Sequence, residues 1–315
     1  MSFSSQVKDE VAKLKVDEKG LILSELSGLT PMCSKLYYTH NGLRLEYVTE
    51  NAPTARRVFT FLRRSFGFDV EVSNVKSKQL SKNLYIINID DNESCRLLLD
   101  ELKYIRGENV FTINYLPYEL TQSSKEKKAY IRGAFLGAGS VTNPEKNYHL
   151  EFVAENEESA NFLQEMINSF GLYSKVIERK DKFVVYLKEA EQISDLLSII
   201  GAYRSMLEFE NIRVIKDMRN NVNRIVNCET ANLSKTVKSS YDQIEDIKII
   251  DEKLGIENLD DDLRELAEIR LNDRYLSLKD IAEILTPQVS KSTVNYRFKK
   301  IKKIADNLRG DINEK

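Results

Sequence analysis

Three cysteines in 315 residues, Cys33, Cys95 and Cys228, are odd in number and too widely spaced for a disulfide framework. No CxxC pair accompanies them, so no zinc site is indicated, and a reducing, cytoplasmic setting fits. Long apolar runs are also missing. Nothing approaches the roughly 18 residues of a membrane span, and residues 1–10 mix charge with serine where a secretory signal would be apolar. No membrane partner is expected. Nor is there an excess of charge of one sign, since 47 basic residues face 49 acidic ones for a net charge of −2. Indiscriminate nucleic-acid binding is therefore excluded, and any such role has to come from a local patch. What remains is an ordinary soluble composition, 42% hydrophobic and 30% charged, at a length suited to two or three domains.

What the chain does have is a repeat. Residues 44–51 read RLEYVTEN and residues 149–156, 105 positions later, read HLEFVAEN. At the same spacing upstream, Leu26-Ser27-Gly28-Leu29 is matched by Ile131-Arg132-Gly133-Ala134. Downstream, after the loss of one residue, Ser65-Phe66-Gly67 is matched by Ser169-Phe170-Gly171. Agreement at three separated points marks a duplicated folding unit. Two such copies fit the approximate symmetry of duplex DNA, and they equally fit duplication as a simple route to a larger core. The repeat alone does not choose.

Inside each copy the periodicity alternates between helix and hairpin. In the first, residues 34–39 and 43–49 flank Asn41-Gly42, a dipeptide suited to a two-residue turn. A helix is predicted over 52–66, with Pro53 near its start and Gly67 at its end, followed by strands at 68–75 and 84–89 and a helix over 93–102. The second copy repeats this order: a helix to about Gly137, strands near Val141 and over 150–154, a helix over 157–170, strands at 174–178 and 183–187, and a helix over 191–200. Each unit is predicted as α-β-β-α-β-β-α, in an α+β platform over 1–205 with repeats at about 20–105 and 121–205.

With a glycine-bearing helix at its head, that unit resembles the LAGLIDADG homing-endonuclease fold. The resemblance implies two motif helices in tight glycine contact, each with an acidic residue at its foot holding a divalent metal. Here those positions hold Cys33 and Ala138. Hard cations need oxygen ligands, which a methyl cannot supply and a thiol supplies badly, so no catalytic residue, metal site or cofactor is expected. Glu46 and Glu151 are equivalent across the repeat, but each sits in an alternating strand and is expected to be a solvated or salt-bridged face residue.

The last third is helical. One helix is expected over 260–271, with Leu263, Leu266, Ala267 and either Ile269 or Arg270 on its apolar stripe. Ser277 with Asp280 three residues on marks a helix start, and Thr286-Pro287 its stop. Ser290 caps a third helix whose apolar stripe is Val294, Phe298, Ile301, Ala305 and Leu308. Its other face carries Lys291, Ser292, Thr293, Asn295, Tyr296, Arg297, Lys299, Lys300, Lys302 and Lys303. Residues 287–310 hold seven basic side chains against one acidic, a local charge of +6 in a chain of net −2. An all-α helix-turn-helix domain over 258–310 is the reading, with Ser292, Thr293, Asn295 and Arg297 placed at or near base edges and Ser290 and Tyr296 among the DNA-binding residues. Lys291, Lys299, Lys300 and Lys302 fall to backbone phosphates.

Between platform and tail, residues 220–236 read NNVNRIVNCETANLSKT within a helical, asparagine-rich linker over 206–257. Its amides suit turn caps in a polar connector, while Arg224, Asn227 and Lys235 suit phosphate contact. Together with the glycine-bearing repeat and the tail, this stretch resembles the WhiA family of bacterial regulators over essentially the whole chain. The resemblance implies transcriptional control of sporulation-type development in some bacteria, and of cell division and chromosome segregation in others. The expected function is non-catalytic, sequence-specific binding of double-stranded DNA at the nucleoid. The alternatives are a metal-dependent endonuclease and a protein-interaction scaffold, the latter with another transcription regulator as partner.

Overall fold

The computed structural model describes residues 2–40, 42–76, 83–105 and 116–310, which cluster into two compact units, Met1–Asp217 and Met218–Lys315. In the first unit a leading helix α1 (Phe3–Val11) precedes two copies of one motif. The first copy runs α2 (Lys19–Cys33), β1 (Ser34–Thr39), β2 (Gly42–Thr49), α3 (Ala52–Phe66), β3 (Glu71–Lys76), β4 (Asn83–Ile89) and α4 (Asn92–Glu101). The second runs α5 (Ser124–Ala138), β5 (Gly139–Val141), β6 (Leu150–Ala154), α6 (Glu157–Asn168), β7 (Lys175–Arg179), β8 (Lys182–Leu187) and α7 (Ala190–Ile200). Each copy builds an antiparallel four-stranded sheet, ordered β1-β2-β4-β3 in one and β5-β6-β8-β7 in the other.

The repeated octapeptide is a strand followed by a helix cap. Leu45 and Tyr47 in β2 are buried, as are Leu150, Phe152 and Ala154 in β6, and the intervening residues face outward. The asparagine closing each octapeptide then caps a helix: Asn51 Oδ1 accepts from Thr54 N at 2.9 Å, and Asn156 Oδ1 from Ser159 N at 2.8 Å. Gly67 (φ +72°) is the left-handed cap of α3, while α6 ends at Asn168 and Gly171 (φ +80°) closes the turn that follows it. One expectation shifts here. Phe68 N bonds back to Leu62 O at 3.3 Å, so the chain is still closing α3 and β3 begins only at Glu71. Asn41 of the expected hairpin turn lies outside the described residues.

Helices α2 and α5 cross with no room for side chains at the crossing. A Cβ on Gly28 would lie 2.1 Å from Tyr130 O, and one on Gly133 would lie 1.9 Å from Glu25 O. Both glycines and both carbonyls are related by the 105-residue offset, so the contact is itself pseudo-symmetric. Around it, Leu26, Leu29, Ile131, Ala134 and Phe135 are buried in one continuous core shared by both copies.

The asparagine-rich stretch makes no turns, contrary to the polar-connector reading. It lies inside α8 (Tyr203–Lys253), a 51-residue helix bracketed by Gly201 (φ +90°) and Gly255 (φ +82°), with no glycine or proline between them. Its early residues belong to the first unit, where Phe209 is buried. In the second unit, Ile247 and Ile250 of α8 join the core of α9 (Asp261–Asn272), α10 (Leu278–Ile284) and α11 (Lys291–Gly310). The expected stripe of α11 lines that core, and on α9 it is Arg270 rather than Ile269 that is fully buried. Ser277 and Asp280 form a reciprocal capping box at the start of α10. Among the described residues, no helix is long and apolar enough to cross a membrane.

Candidate nucleic-acid interface

Helix α11 begins with a closed cap. Ser290 Oγ accepts from Thr293 N at 3.1 Å and meets Thr293 Oγ1 at 2.9 Å, so both hydroxyls serve the helix start first. Beyond it, Lys291, Ser292, Asn295, Tyr296, Lys299, Lys300, Lys302 and Lys303 are all exposed. At steps of four they form two adjacent rows: Lys291, Asn295 and Lys299, then Ser292, Tyr296 and Lys300. The Lys300 ammonium lies 5.1 Å from the Tyr296 ring centroid, which aligns cation and ring on the same surface.

Arg297 is placed differently. It is 15% exposed and its Nη2 is 2.7 Å from Asp262 Oδ2 on α9. Arg309 is likewise held, 2.8 Å from both Asp246 and Asp306. The two arginines of α11 thus brace the bundle, and the outward charge is carried by lysines. Asp262 and Asp246 lie outside α11, so spacing within the helix could not reveal them, whereas Asp306 is an i,i+3 neighbour of Arg309.

Of the three positions singled out in the asparagine-rich stretch, Lys235 lines a cavity of about 200 Å³ that also takes Lys291. Arg224 and Asn227 lie on the exposed face of α8, about 16 and 12 Å earlier along the helix axis.

In the first unit, Cys33 and Ala138 end the two motif helices. A cleft of about 1030 Å³ opens there, lined by Lys8, Cys33, Glu50, Ser140 and Glu155 among others. The Cys33 thiol donates to Leu29 O at 3.5 Å, and burial, partly offset by Lys8, pushes it up to about 12. Burial likewise depresses Lys8, whose Nζ donates to Leu136 O at 3.1 Å, to about 8. A protonated thiol and a methyl do not fit a divalent metal. Glu151 accepts from His149 Nε2 at 3.1 Å and from Arg179 Nη1 at 3.3 Å. Partial burial raises its pKa, but those two partners outweigh it and hold the carboxyl below its usual range. Glu46 is 3.8 Å from Arg44 and 3.5 Å from Tyr37 OH. Both glutamates are paired face residues, as their strand pattern implied.

Three family models match consecutive stretches: the WhiA N-terminal LAGLIDADG-like domain over 21–105, the WhiA LAGLIDADG-like domain over 127–219 and the WhiA C-terminal HTH domain over 222–305. A Clostridium botulinum protein named probable cell division protein WhiA is 48% identical over 315 residues, covering 99% of this chain and 100% of its own. The chain belongs to the WhiA family. A Clostridium tetani protein of the same name is 49% identical over 317 residues, with 99% and 100% covered. The crystal structure of full-length DUF199/WhiA from Thermatoga maritima superposes with a TM-score of 0.60 at 26% identity, covering 98% of this chain and 99% of that one. The WhiA helix-turn-helix model starts at 222, inside α8, in keeping with Ile247 and Ile250 belonging to the second unit's core.

Proposed function

We propose that this WhiA-family protein is a non-catalytic regulator that binds duplex DNA sequence-specifically through α11. The observation that carries the reading is the outward lysine face of a capped third helix in a helix-turn-helix domain, in a chain with no net excess of basic charge. Ser292, Asn295 and Tyr296, near the helix start, take positions at or near base edges, and Lys291, Lys299, Lys300 and Lys302 neutralise phosphates. Arg297 serves as a brace that sets the angle of α11. The names of the Clostridium relatives favour a role in cell division. The family resemblance extends this to sporulation-type development, chromosome segregation and a second regulator as partner. A DNA ligand of this kind implies work in the cytoplasm, at the nucleoid.

The platform contributes a fold without the nuclease's chemistry, because Cys33 and Ala138 stand where the metal carboxylates would be. Footprinting the full-length protein on genomic DNA tests both parts of the reading. Protection of discrete sites without strand cleavage in magnesium or manganese is the expected result. Uniform weak protection, or nicking that disappears on Glu46→Gln or Glu151→Gln substitution, overturns it.

A further inference from the structure

The small cavity in the second unit is surrounded by cations on four separate helices. Lys235 comes from α8, Arg270 from α9, Lys279 from α10 and Lys291 from α11, and none of the lining side chains is acidic. Thr236, Ser239, Ser277 and Leu278 complete it. Ser239 Oγ already accepts from Gln243 Nε2 at 3.2 Å, and Ser277 Oγ from the amides of Lys279 and Asp280, both at 3.3 Å. Ser277 Oγ, having accepted twice, has only its proton left to offer, while Ser239 keeps its proton and one lone pair. Arg270 is the unusual member. It is 1% exposed and stacks 5.5 Å from the Phe298 ring centroid, and its Nη1 donates to Leu276 O at 2.8 Å, yet its buried Nε–H has no hydrogen-bond partner. A buried guanidinium with an unused donor, in the wall of a cavity lined by four cations and no carboxylate, suits an anion.

We propose that Lys235, Arg270, Lys279 and Lys291, with Ser239 and Ser277, form a phosphate seat. Donors converge from four helices, which suits a tetrahedral oxyanion better than a planar carboxylate. A cavity of about 200 Å³ has room for one phosphate group. Two sources share this chemistry: a phosphodiester of the DNA backbone, and a free or small-molecule phosphate. The backbone is the expected source, because Lys291 opens the helix assigned to DNA. That arm rests on the DNA-binding reading above, whereas the free-phosphate arm does not.

The test uses the full-length protein and the double variant Lys235→Ala, Lys279→Ala, both exposed positions outside the hydrophobic core; Arg270→Leu is a second variant, informative if it folds. Thermal unfolding is followed in inorganic phosphate against chloride of equal ionic strength. Phosphate stabilises folded proteins generally, so the reading is the part of the shift that the double variant loses. In parallel, duplex affinity is titrated against salt. The expected result is a phosphate-specific rise in Tm lost in the variant, and a duplex affinity lowered about tenfold with its salt slope flattened by one to two phosphate equivalents. A lost phosphate shift with unchanged duplex affinity also supports the seat and assigns it to free phosphate. Unchanged phosphate shift and unchanged salt slope together overturn it. A Lys300→Ala, Lys302→Ala control, away from the cavity, reports on the recognition helix alone, so a failure of the DNA reading is seen separately.

Discussion

Arg132 on α5 donates from Nε to Glu25 on α2 at 2.8 Å, an ion pair that ties one motif helix to the other. The same carboxylate, 1% exposed, is also held by Nε and Nη2 of Arg57 on α3. Removing the carboxylate charge strands two guanidinium groups in the interior. Glu25→Gln is therefore expected to cost about 3–5 kcal/mol in chemical denaturation. Replacing Glu25, Arg57 and Arg132 together with methionine should cost less than the single change, because no charge is then left uncompensated. A triple variant weaker than Glu25→Gln would show that the network contributes more than it costs to bury.

Gly28→Ala and Gly133→Ala each drive a methyl into the backbone carbonyl of the opposing helix, at 2.1 and 1.9 Å. The helices must separate, and a loss of at least about 1–3 kcal/mol is expected for each. Gly20→Ala is the control. It lies on the same helix with nothing within 4 Å of the added methyl, and it should gain up to about 1 kcal/mol from helix propensity. Thermal melts of the three single variants decide whether the crossing is as tight as described.

Lys8 makes stability depend on alkaline pH. Its ammonium is depressed by burial to about 8, against 10.5 in an unfolded chain, with Cys33 and Glu50 pulling the other way. Between those values the unfolded chain holds a proton that the folded one has lost, so Lys8 contributes a rise in stability with pH from about 8 to 10.5, opposed above about 9 by Cys33, whose raised thiol makes stability fall with pH. Lys8→Met should flatten that rise. At pH 7 it should gain about 1–2 kcal/mol, the relief of a buried charge less the lost bond to Leu136 O. Guanidinium titrations from pH 7 to 10.5 measure both effects, and an unaltered slope in the variant places the titration elsewhere.

Asn295 and Arg297 are only two residues apart, and their variants should behave differently. Asn295→Ala should cost about 1–3 kcal/mol on a preferred duplex and little on scrambled DNA. Arg297→Ala removes the pair to Asp262 and should weaken both duplexes alike, together with a stability loss of about 1 kcal/mol or less that Asp262→Ala reproduces. A double-mutant cycle on Asp262 and Arg297 gives the coupling. If Arg297→Ala instead loses only the preferred site, the arginine leaves Asp262 to read bases.

The duplicated fold was legible because its signals are local. Asn51 and Asn156 cap helices from within the repeated octapeptide, Gly67 caps the end of one and Gly171 closes the turn after the other, so the motif specifies its own boundaries. The capping box at Ser277 and the apolar stripe of α11 were visible for the same reason. Long-range pairing was not. Asp262 and Arg297 are 35 residues apart and Glu25 and Arg132 107, and no period in the chain links them. The asparagines of 220–236 were misread because local turn chemistry was weighed above the absence of any helix breaker between Gly201 and Gly255. The α9 stripe left Ile269 and Arg270 both open, and spacing could not decide for the arginine, since a lone arginine on an apolar face ordinarily snorkels to solvent.

The glycine crossing also makes each copy incomplete without the other. Each carbonyl that fits against a glycine belongs to the other copy, Tyr130 for Gly28 and Glu25 for Gly133. The helix ends carry no such constraint and differ, Cys33 in one copy and Ala138 in the other, while at the crossing each copy is the steric template of its twin. One copy alone would expose a backbone groove at Gly28 shaped for a second, so the crossing is complete only where two such units meet.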